Sequence, residues 1–197
     1  VAALKFYNDL AFGNTKPLIG YNGLKYAPAC RDIPALLAGS ISKNTLKSLD
    51  AELAGTIPEI TVLENKLRWI LQVTNDSNYK EAVITSKKVA GTNTALVTRF
   101  YQLGIIDAIQ LNLPDSILKK KVKEAQIQFN LLADGVIRST LLQELNTHLS
   151  VRLEQLNLSI NYYRWLNCMA QIQPVIAVNI PAAYMKVYYR SKVLLEM

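Results

Sequence analysis

The sequence LSVRLEQLNLSINYYRW, residues 149–165, is the stretch that decides the fold. Apolar residues recur along it at steps of three and four, which places them on two adjacent faces of one long helix. The first stripe is Leu149, Leu153, Leu156, Ile160 and Tyr163, and the second is Val151, Leu158, Tyr162 and Trp165. A helix that is apolar around so much of its circumference is typical of a buried connector, which we predict over residues 148–168.

The apolar period changes after this helix. Residues 175–180 and 184–189 are rich in β-branched and aromatic residues, and turns are expected at Pro181 and at Arg190 with Ser191. We therefore predict a β-meander that ends in residues 193–197. Two or three strands are marginally stable alone, and the last strand is apolar, so we expect the meander to belong to a larger, incomplete sheet.

The preceding part of the chain is predicted to be helical. Apolar spacing indicates helices over residues 4–11, 33–41, 46–53, 57–71, 97–103 and 115–129. Residues 18–34 are rich in Gly, Pro, Tyr and Asn, which favours a loop. Thr56 with Glu59 has the pattern of a capping box, and Trp69 lies off its helix's apolar stripe, so we expect it to contact another element. The polar residues 75–78 are a candidate boundary between two helical units.

The composition favours a folded protein with a polyanionic partner. The chain has 197 residues, half of them hydrophobic, which suffices for one large domain or two small ones. It has no apolar run long enough to span a membrane, and residues 1–10 lack the pattern of a signal peptide. The net charge of +7 favours nucleic acid, an acidic envelope polymer or a membrane surface, without choosing among them.

A basic cluster lies on the helix predicted over residues 115–129. Its apolar stripe is Leu118, Val122, Ala125 and Phe129, and we place Lys119, Lys120, Lys123 and Gln126 on the opposite side. We interpret this side as a solvated face, with a polyanion contact as the alternative. Nucleic-acid modules usually combine such charges with aromatic residues or a recognisable motif, so we expect no nucleic-acid partner.

The two cysteines and the single histidine indicate neither a metal site nor a cofactor. Cys30 and Cys168 have no CxxC or Cys/His spacing, so we predict two buried, unpaired thiols, while a single bridge between them stays open. His148 lies between two predicted helices and is interpreted as a helix-start or surface residue.

The segment AQIQFNLLADGVI, residues 125–137, resembles the helix, turn and Asp-Gly signature of the small three-helix peptidoglycan-binding domain. Residues 96–105 match the preceding helix of that domain, and Leu145 with Asn146 closes the following one. The chain has Arg138 and Leu141 where the family usually has Gly and Thr.

The segments 152–166 and 176–181 are similar in order to the linker helix and first catalytic strand of the large L,D-transpeptidases. Residues 9–13 and 57–59 resemble the scaffold domain of that family. The resemblance implies a helical scaffold over residues 1–78 and a peptidoglycan-binding-like domain over 79–147. It further implies a connector helix over 148–168, the first strands of an incomplete catalytic domain over 169–197, and a periplasmic or cell-envelope location.

The family forms 3-3 crosslinks in peptidoglycan through an acyl group carried on a cysteine. Its catalytic residues lie in a His-Gly segment and a Ser-x-Gly-Cys-x-Arg segment, and these 197 residues contain neither. Neither Cys30 nor Cys168 lies in the Ser-x-Gly-Cys-x-Arg pattern. We therefore assign no catalytic residue and expect the chain to be inactive alone.

The sequence thus predicts a mainly α protein with a short C-terminal β-meander, serving as scaffold and peptidoglycan-binding module of such an enzyme. Phe129, Asp134 and Arg138 are the candidate ligand contacts, although Phe129 also suits a core position and Asp134 a turn. The alternative function is a basic helical adaptor that binds nucleic acid or an acidic protein through residues 119–123.

Overall fold

The computed structural model describes residues 1–14, 30–54, 57–85, 93–110, 113–180 and 183–197. Its helices are α1 (Ala2–Phe12), α2 (Ile33–Ser42), α3 (Leu46–Leu53), α4 (Pro58–Thr74), α5 (Thr94–Gln102), α6 (Asp115–Gln128), α7 (Ser139–Asn146) and α8 (Leu149–Ile172). Its strands are β1 (Val175–Asn179), β2 (Tyr184–Tyr189) and β3 (Lys192–Glu196). The mainly α fold with a C-terminal β-meander is confirmed. Thr56, Pro181 and most of the predicted loop at 18–34 lie outside the described residues.

The described residues form two compact units. Unit 1 consists of residues 1–64 and 156–197, and unit 2 consists of residues 65–155. Both divisions fall inside a helix, in α4 and in α8, whereas the sequence-based boundaries at 78, 147 and 168 follow breaks in the apolar pattern. The four functional domains drawn from the resemblance stay a prediction.

The first three helices of unit 1 share one hydrophobic core. It contains buried residues from α1, α2 and α3, namely Tyr7, Ala11, Ile33, Leu37, Leu49 and Leu53. Asp32 begins α2 by accepting a hydrogen bond from the Ala35 amide at 3.0 Å, as an N-cap residue does. Ile33 and Leu37 of the predicted stripe in α2 lie in this core, whereas Ile41 of the same stripe is exposed.

The end of α1 lies directly against α8. Gly13 adopts a left-handed φ of 74°, and a β-carbon at this position would lie 2.7 Å from the carbonyl oxygen of Asn161. The next amide, that of Asn14, donates to Asn161 Oδ1 at 2.8 Å. Only a residue without a side chain allows this approach of α1 to α8.

The meander is an antiparallel sheet of order β1-β2-β3 within the described residues. Arg190 and Ser191, with φ of 47° and 60°, form the predicted tight turn between β2 and β3. One face packs on α4 and α8 through a core of Ile57, Ile60, Ala170 and Tyr188. The opposite face is apolar and exposed at Ile176 and Val178, at 63% and 64%.

The long helix α8 is less buried than its sequence predicts. Leu149 and Ile160 of the first apolar stripe are buried, but Val151, Leu158 and Tyr162 of the second are about 40% exposed. The prediction of a helix buried around most of its circumference is therefore wrong for these three residues, while Trp165 of the same stripe is half-buried. No helix in the described part of the chain combines the length and the apolar character that crossing a membrane requires.

The two cysteines form a disulfide bond, which corrects the prediction of unpaired thiols. Cys30 precedes α2 and Cys168 lies in α8, and the fold brings their Cα atoms to 5.6 Å despite a sequence separation of 138. This distance lies within the usual range for disulfides. The pairing depends on a contact between distant segments of unit 1, which residue spacing does not reveal.

Replacing Gly13 with Ala should destabilise the protein by about 1–3 kcal/mol, because a β-carbon is strained at positive φ and collides with the backbone of α8. Gly39→Ala is the matched control: a β-carbon at this position in α2 meets nothing within 4 Å. It should stabilise by up to about 1 kcal/mol. Urea unfolding measures both, and equal effects of the two substitutions would contradict the close approach.

Reducing the disulfide should lower the free energy of unfolding by about 2–5 kcal/mol, because the bond closes a long loop in the unfolded chain. Urea unfolding with and without reductant measures the loss. The double variant Cys30→Ser with Cys168→Ser should unfold at the same urea concentration as the reduced protein. Reductant should not change the midpoint of this variant. If reductant does not change the unfolding midpoint of the wild-type protein, the bond does not contribute to stability.

Candidate ligand-binding site

The three candidate ligand contacts lie at the end of α6 and in the segment that joins it to α7. Phe129 is the C-cap residue of α6, and Arg138 is the N-cap residue of α7. Asp134 lies between them. The stripe residues Leu118, Val122 and Ala125 are buried as predicted, whereas Phe129 is half-buried. The sequence thus places the candidate contacts in one short connection of unit 2.

Asp134 organises the turn around its own carboxylate. Its Oδ1 accepts hydrogen bonds from the Val136 amide at 2.9 Å and from Gln126 Nε2 at 3.0 Å, and its Oδ2 pairs with Arg138 Nη1. The Val136 amide, helped by Gln126 and Arg138, holds the pKa of Asp134 well below its usual range. Asp134 therefore acts as the turn former and keeps the Arg138 guanidinium beside the turn.

The buried side chain of Gln126 holds this turn through hydrogen bonds. This burial corrects the prediction that Gln126 lies on the exposed basic side of α6. The side chain is only 2% exposed. Its Oε1 accepts from the Gly135 amide at 2.8 Å, and its Nε2 also donates to the Val136 carbonyl at 3.0 Å. One amide thus satisfies polar groups of the turn that would otherwise be buried without partners. Gln126 comes one helical turn after Val122 of the apolar stripe, and this spacing could have predicted that it lies on the buried face of α6.

The lysines of α6 lie closer to the turn than a solvated face implies. Lys119, Lys120 and Lys123 are exposed, as predicted. Gly135 has a left-handed φ of 80°, and a β-carbon there would lie 2.8 Å from Lys119 Cγ and 3.3 Å from Lys123 Cε. The aliphatic stems of Lys119 and Lys123 therefore pack over Gly135.

Phe129 contacts a different group. The guanidinium carbon of Arg152 lies 4.9 Å from the centroid of the Phe129 ring, at cation–π distance. Arg152 in turn donates to the Glu144 carbonyl at 2.9 Å and pairs with its carboxylate. One face of the ring is thus covered by a side chain of α8. The structure brings Asp134 and Arg138 together and gives Phe129 a packing role.

Arg99 is a buried cation that the sequence interpretation missed. It is fully buried, and its Nη1 donates to Glu81 at 3.0 Å and to Gln102 at 3.2 Å. Its remaining donors bind the carbonyls of Leu145 and Thr147. A charged residue three positions after buried Leu96 was the available signal, because this spacing places it on the apolar face of α5. Arg99 thus links α5 to the segment that contains Glu81 and to the end of α7.

Glu81 is the carboxylate that balances Arg99. Burial alone would raise the pKa of Glu81, but a hydrogen bond from the Leu149 amide at 2.8 Å and the Arg99 guanidinium outweigh it and keep the pKa below its usual value. His148 also pairs with Glu81 and has a 76% exposed side chain. The interpretation of His148 as a surface residue at a helix start agrees with this position.

A separate groove lies in unit 1 between α8 and the sheet. It encloses about 410 Å³ and is lined in part by Tyr162, Tyr163, Tyr184 and Tyr188. Burial raises the pKa of Tyr163 and Tyr188, so both phenols stay neutral at physiological pH. Sequence interpretation did not single out this groove, although Tyr184 and Tyr188 alternate along one face of β2.

Glu59 lies beside the groove's Tyr188 and accepts hydrogen bonds from its hydroxyl at 2.9 Å and from Lys186 Nζ at 3.1 Å. These contacts tie the start of α4 to β2. Among the described residues, no group of three or more His, Cys, Asp or Glu side chains is arranged to hold a metal ion.

No protein-family model matches the sequence, and no curated protein matches it significantly. Together with the two lysines of α6 whose stems pack over Gly135, the turn of residues 134–138 offers a guanidinium and two ammonium groups, an arrangement suited to binding an anion.

Gln126→Ala should destabilise the protein by about 1–3 kcal/mol, because it leaves the buried Gly135 amide without an acceptor. Gln72→Ala, an exposed position of α4, is the control and should change stability by less than about 0.5 kcal/mol. Thermal and urea unfolding measure the difference. A Gln126 variant as stable as the Gln72 variant would show that the turn does not depend on this amide.

Proposed function

We propose that this chain is the non-catalytic portion of a cell-wall L,D-transpeptidase, serving as scaffold and peptidoglycan-binding module. The observation that carries the proposal is the Asp134–Gly135 turn, which is held by buried Gln126 and carries a partly exposed Arg138. The turn joins α6 to α7 after the preceding helix α5, which is the order expected of the three-helix peptidoglycan-binding domain.

The disulfide supports an extracytoplasmic location for this function. Disulfides persist in oxidising compartments such as the periplasm and are rare where thiol reductants are abundant. The bond between Cys30 and Cys168 therefore suits a protein of the cell envelope, where peptidoglycan is found.

The same bond supports a non-catalytic role for the chain. Acyl transfer by a cysteine needs a thiolate, and the two cysteines of this chain are joined to each other. In the proposed parent enzyme, a catalytic domain with the His-Gly and Ser-x-Gly-Cys-x-Arg segments supplies the nucleophile. The exposed apolar face at Ile176, Val178 and Leu195 suits a sheet that further structure of such a domain covers.

A basic adaptor is the second candidate function, and the exposed row of Lys119, Lys120 and Lys123 favours it. In that function the chain binds nucleic acid or an acidic protein through α6. Binding to nucleic acid would weaken steeply as salt rises, because each phosphate contact releases counterions.

Purified sacculi should retain the chain in a pelleting assay more strongly than a basic control protein of equal net charge. Arg138→Gln should reduce this retention, because it removes the partly exposed guanidinium of the turn. Arg31→Gln, which breaks the Arg31–Glu52 ion pair of unit 1, removes the same charge and should leave retention unchanged.

Retention no greater than that of the control protein would refute peptidoglycan binding. A shift in the mobility of duplex or single-stranded DNA at low salt, without retention on sacculi, would favour the adaptor instead.

A further inference from the structure

Two lysines of α6 are held against the Asp134–Gly135 turn. Lys119 and Lys123 are four residues apart, so they lie on one face of the helix. Their stems pack over Gly135, where a β-carbon would lie within 3.3 Å of each. Because Gly135 has no side chain, both lysines can cross the turn with their exposed ends beside it.

Arg138 adds a third cation from the other end of the turn. Its side chain is 53% exposed, and only its Nη1 is engaged by Asp134 Oδ2. We name Lys119, Lys123, Gly135 and Arg138 the turn patch. Lys121 does not add to it, because its ammonium group pairs with Glu124 at 2.7 Å.

The charges of the turn patch are incompletely balanced. Three cationic side chains lie at this turn, and of the three only Arg138 pairs with Asp134, whose carboxylate already accepts from Gln126 and Val136. Neither Lys119 nor Lys123 has a carboxylate within ion-pair distance among the residues that the structure describes. An anion that approaches Gly135 can therefore meet two ammonium groups and the free side of a guanidinium.

We propose that the turn patch binds the carboxylate groups of the peptidoglycan stem peptide. The inference rests on the proposed function and names the part of the polymer that this turn recognises. Lysine ammonium groups attract a carboxylate as point charges, and the arginine fork can bind it through two parallel hydrogen bonds. The Gly135 amide already donates to Gln126, so side chains make the contact.

A carboxylate suits the turn patch better than a nucleic acid does. The cations occupy a single turn instead of a track along a backbone, so they can reach few phosphates of an extended strand. Single-strand binding also needs open aromatic faces for base stacking, whereas Arg152 covers one face of the nearby Phe129 ring.

The experiment compares two double variants of equal charge. Lys119→Gln with Lys123→Gln removes both lysines of the turn patch, and Lys43→Gln with Lys47→Gln removes two exposed lysines of unit 1. All four positions are exposed, so both variants should unfold within a few degrees of the wild-type chain. The probes are sacculi freed of protein and phosphate polymers, and the same sacculi with their stem carboxylates converted to amides.

The turn-patch variant should bind untreated sacculi roughly 3- to 10-fold more weakly than the wild-type chain, as expected for the loss of two exposed ion pairs. The Lys43/Lys47 variant should bind like the wild-type chain. Amidation of the sacculi should weaken binding by the wild-type chain to the level shown by the turn-patch variant. It should have little further effect on binding by that variant.

Equal binding by the two double variants would overturn the proposal that the turn patch is the binding site, while peptidoglycan binding by the chain would still stand. Unchanged binding of the wild-type chain to amidated sacculi would overturn recognition of carboxylates. Failure of the wild-type chain to exceed a basic control protein on untreated sacculi would overturn the proposed function and this inference together. A DNA mobility shift that the turn-patch variant alone loses, with sacculus binding unchanged, would assign the patch to nucleic acid.

Discussion

The buried side-chain amide of Gln126 is the interaction on which the unit 2 site depends. It accepts from the Gly135 amide and donates to Asp134 and to the Val136 carbonyl, so one side chain satisfies several polar groups of a tight connection. Leaving such a buried group unpaired costs roughly 1–3 kcal/mol, which is enough to favour another path for the connection. With the turn held in this way, Asp134 keeps Arg138 close, and Gly135 accommodates the lysine stems of α6. The cationic surface is therefore a consequence of the buried support beneath it.

Unit 1 is held by constraints of another kind, since it is made from two distant parts of the chain. The Cys30–Cys168 bond joins these parts covalently, and Gly13 allows α1 to approach the backbone of α8. The Glu59 carboxylate then connects α4 to β2 through Tyr188 and Lys186. These contacts are distributed through the unit, as expected of a scaffold, and the paired cysteines leave it no thiol for chemistry. Ligand recognition and structural support thus belong to different units in the proposed function.

The features predicted correctly from sequence are those that depend on neighbouring residues. Apolar spacing identified α2 and α3, the capping-box pattern indicated the start of α4 near Glu59, and residue type with turn signals indicated the meander and its turn at Arg190 and Ser191. Each of these follows from local periodicity, capping or turn chemistry. Trp69, predicted to contact another element, donates to the Tyr101 carbonyl at 2.8 Å. The misplaced residues depend on distant contacts. Gln126 is buried because a turn folds back over it, and the cysteines pair because unit 1 brings two distant segments of the chain together. Most of the second stripe of α8 is exposed, although its spacing is that of a buried face. At the site, the sequence indicated Asp134, Arg138 and the basic cluster of α6, but it did not indicate that Lys119 and Lys123 pack over Gly135.

The most direct test of the account is to map amide chemical shifts while the chain is titrated with a soluble peptidoglycan fragment that carries the stem peptide. If the turn patch binds the stem peptide, the amides of residues 134–138 and of residues 119–123 should shift together and saturate with one dissociation constant. The Gly135 amide should stay hydrogen-bonded to Gln126 throughout. Absence of saturable shifts, or shifts confined to the tyrosine-lined groove of unit 1, would contradict the claim that this turn binds peptidoglycan.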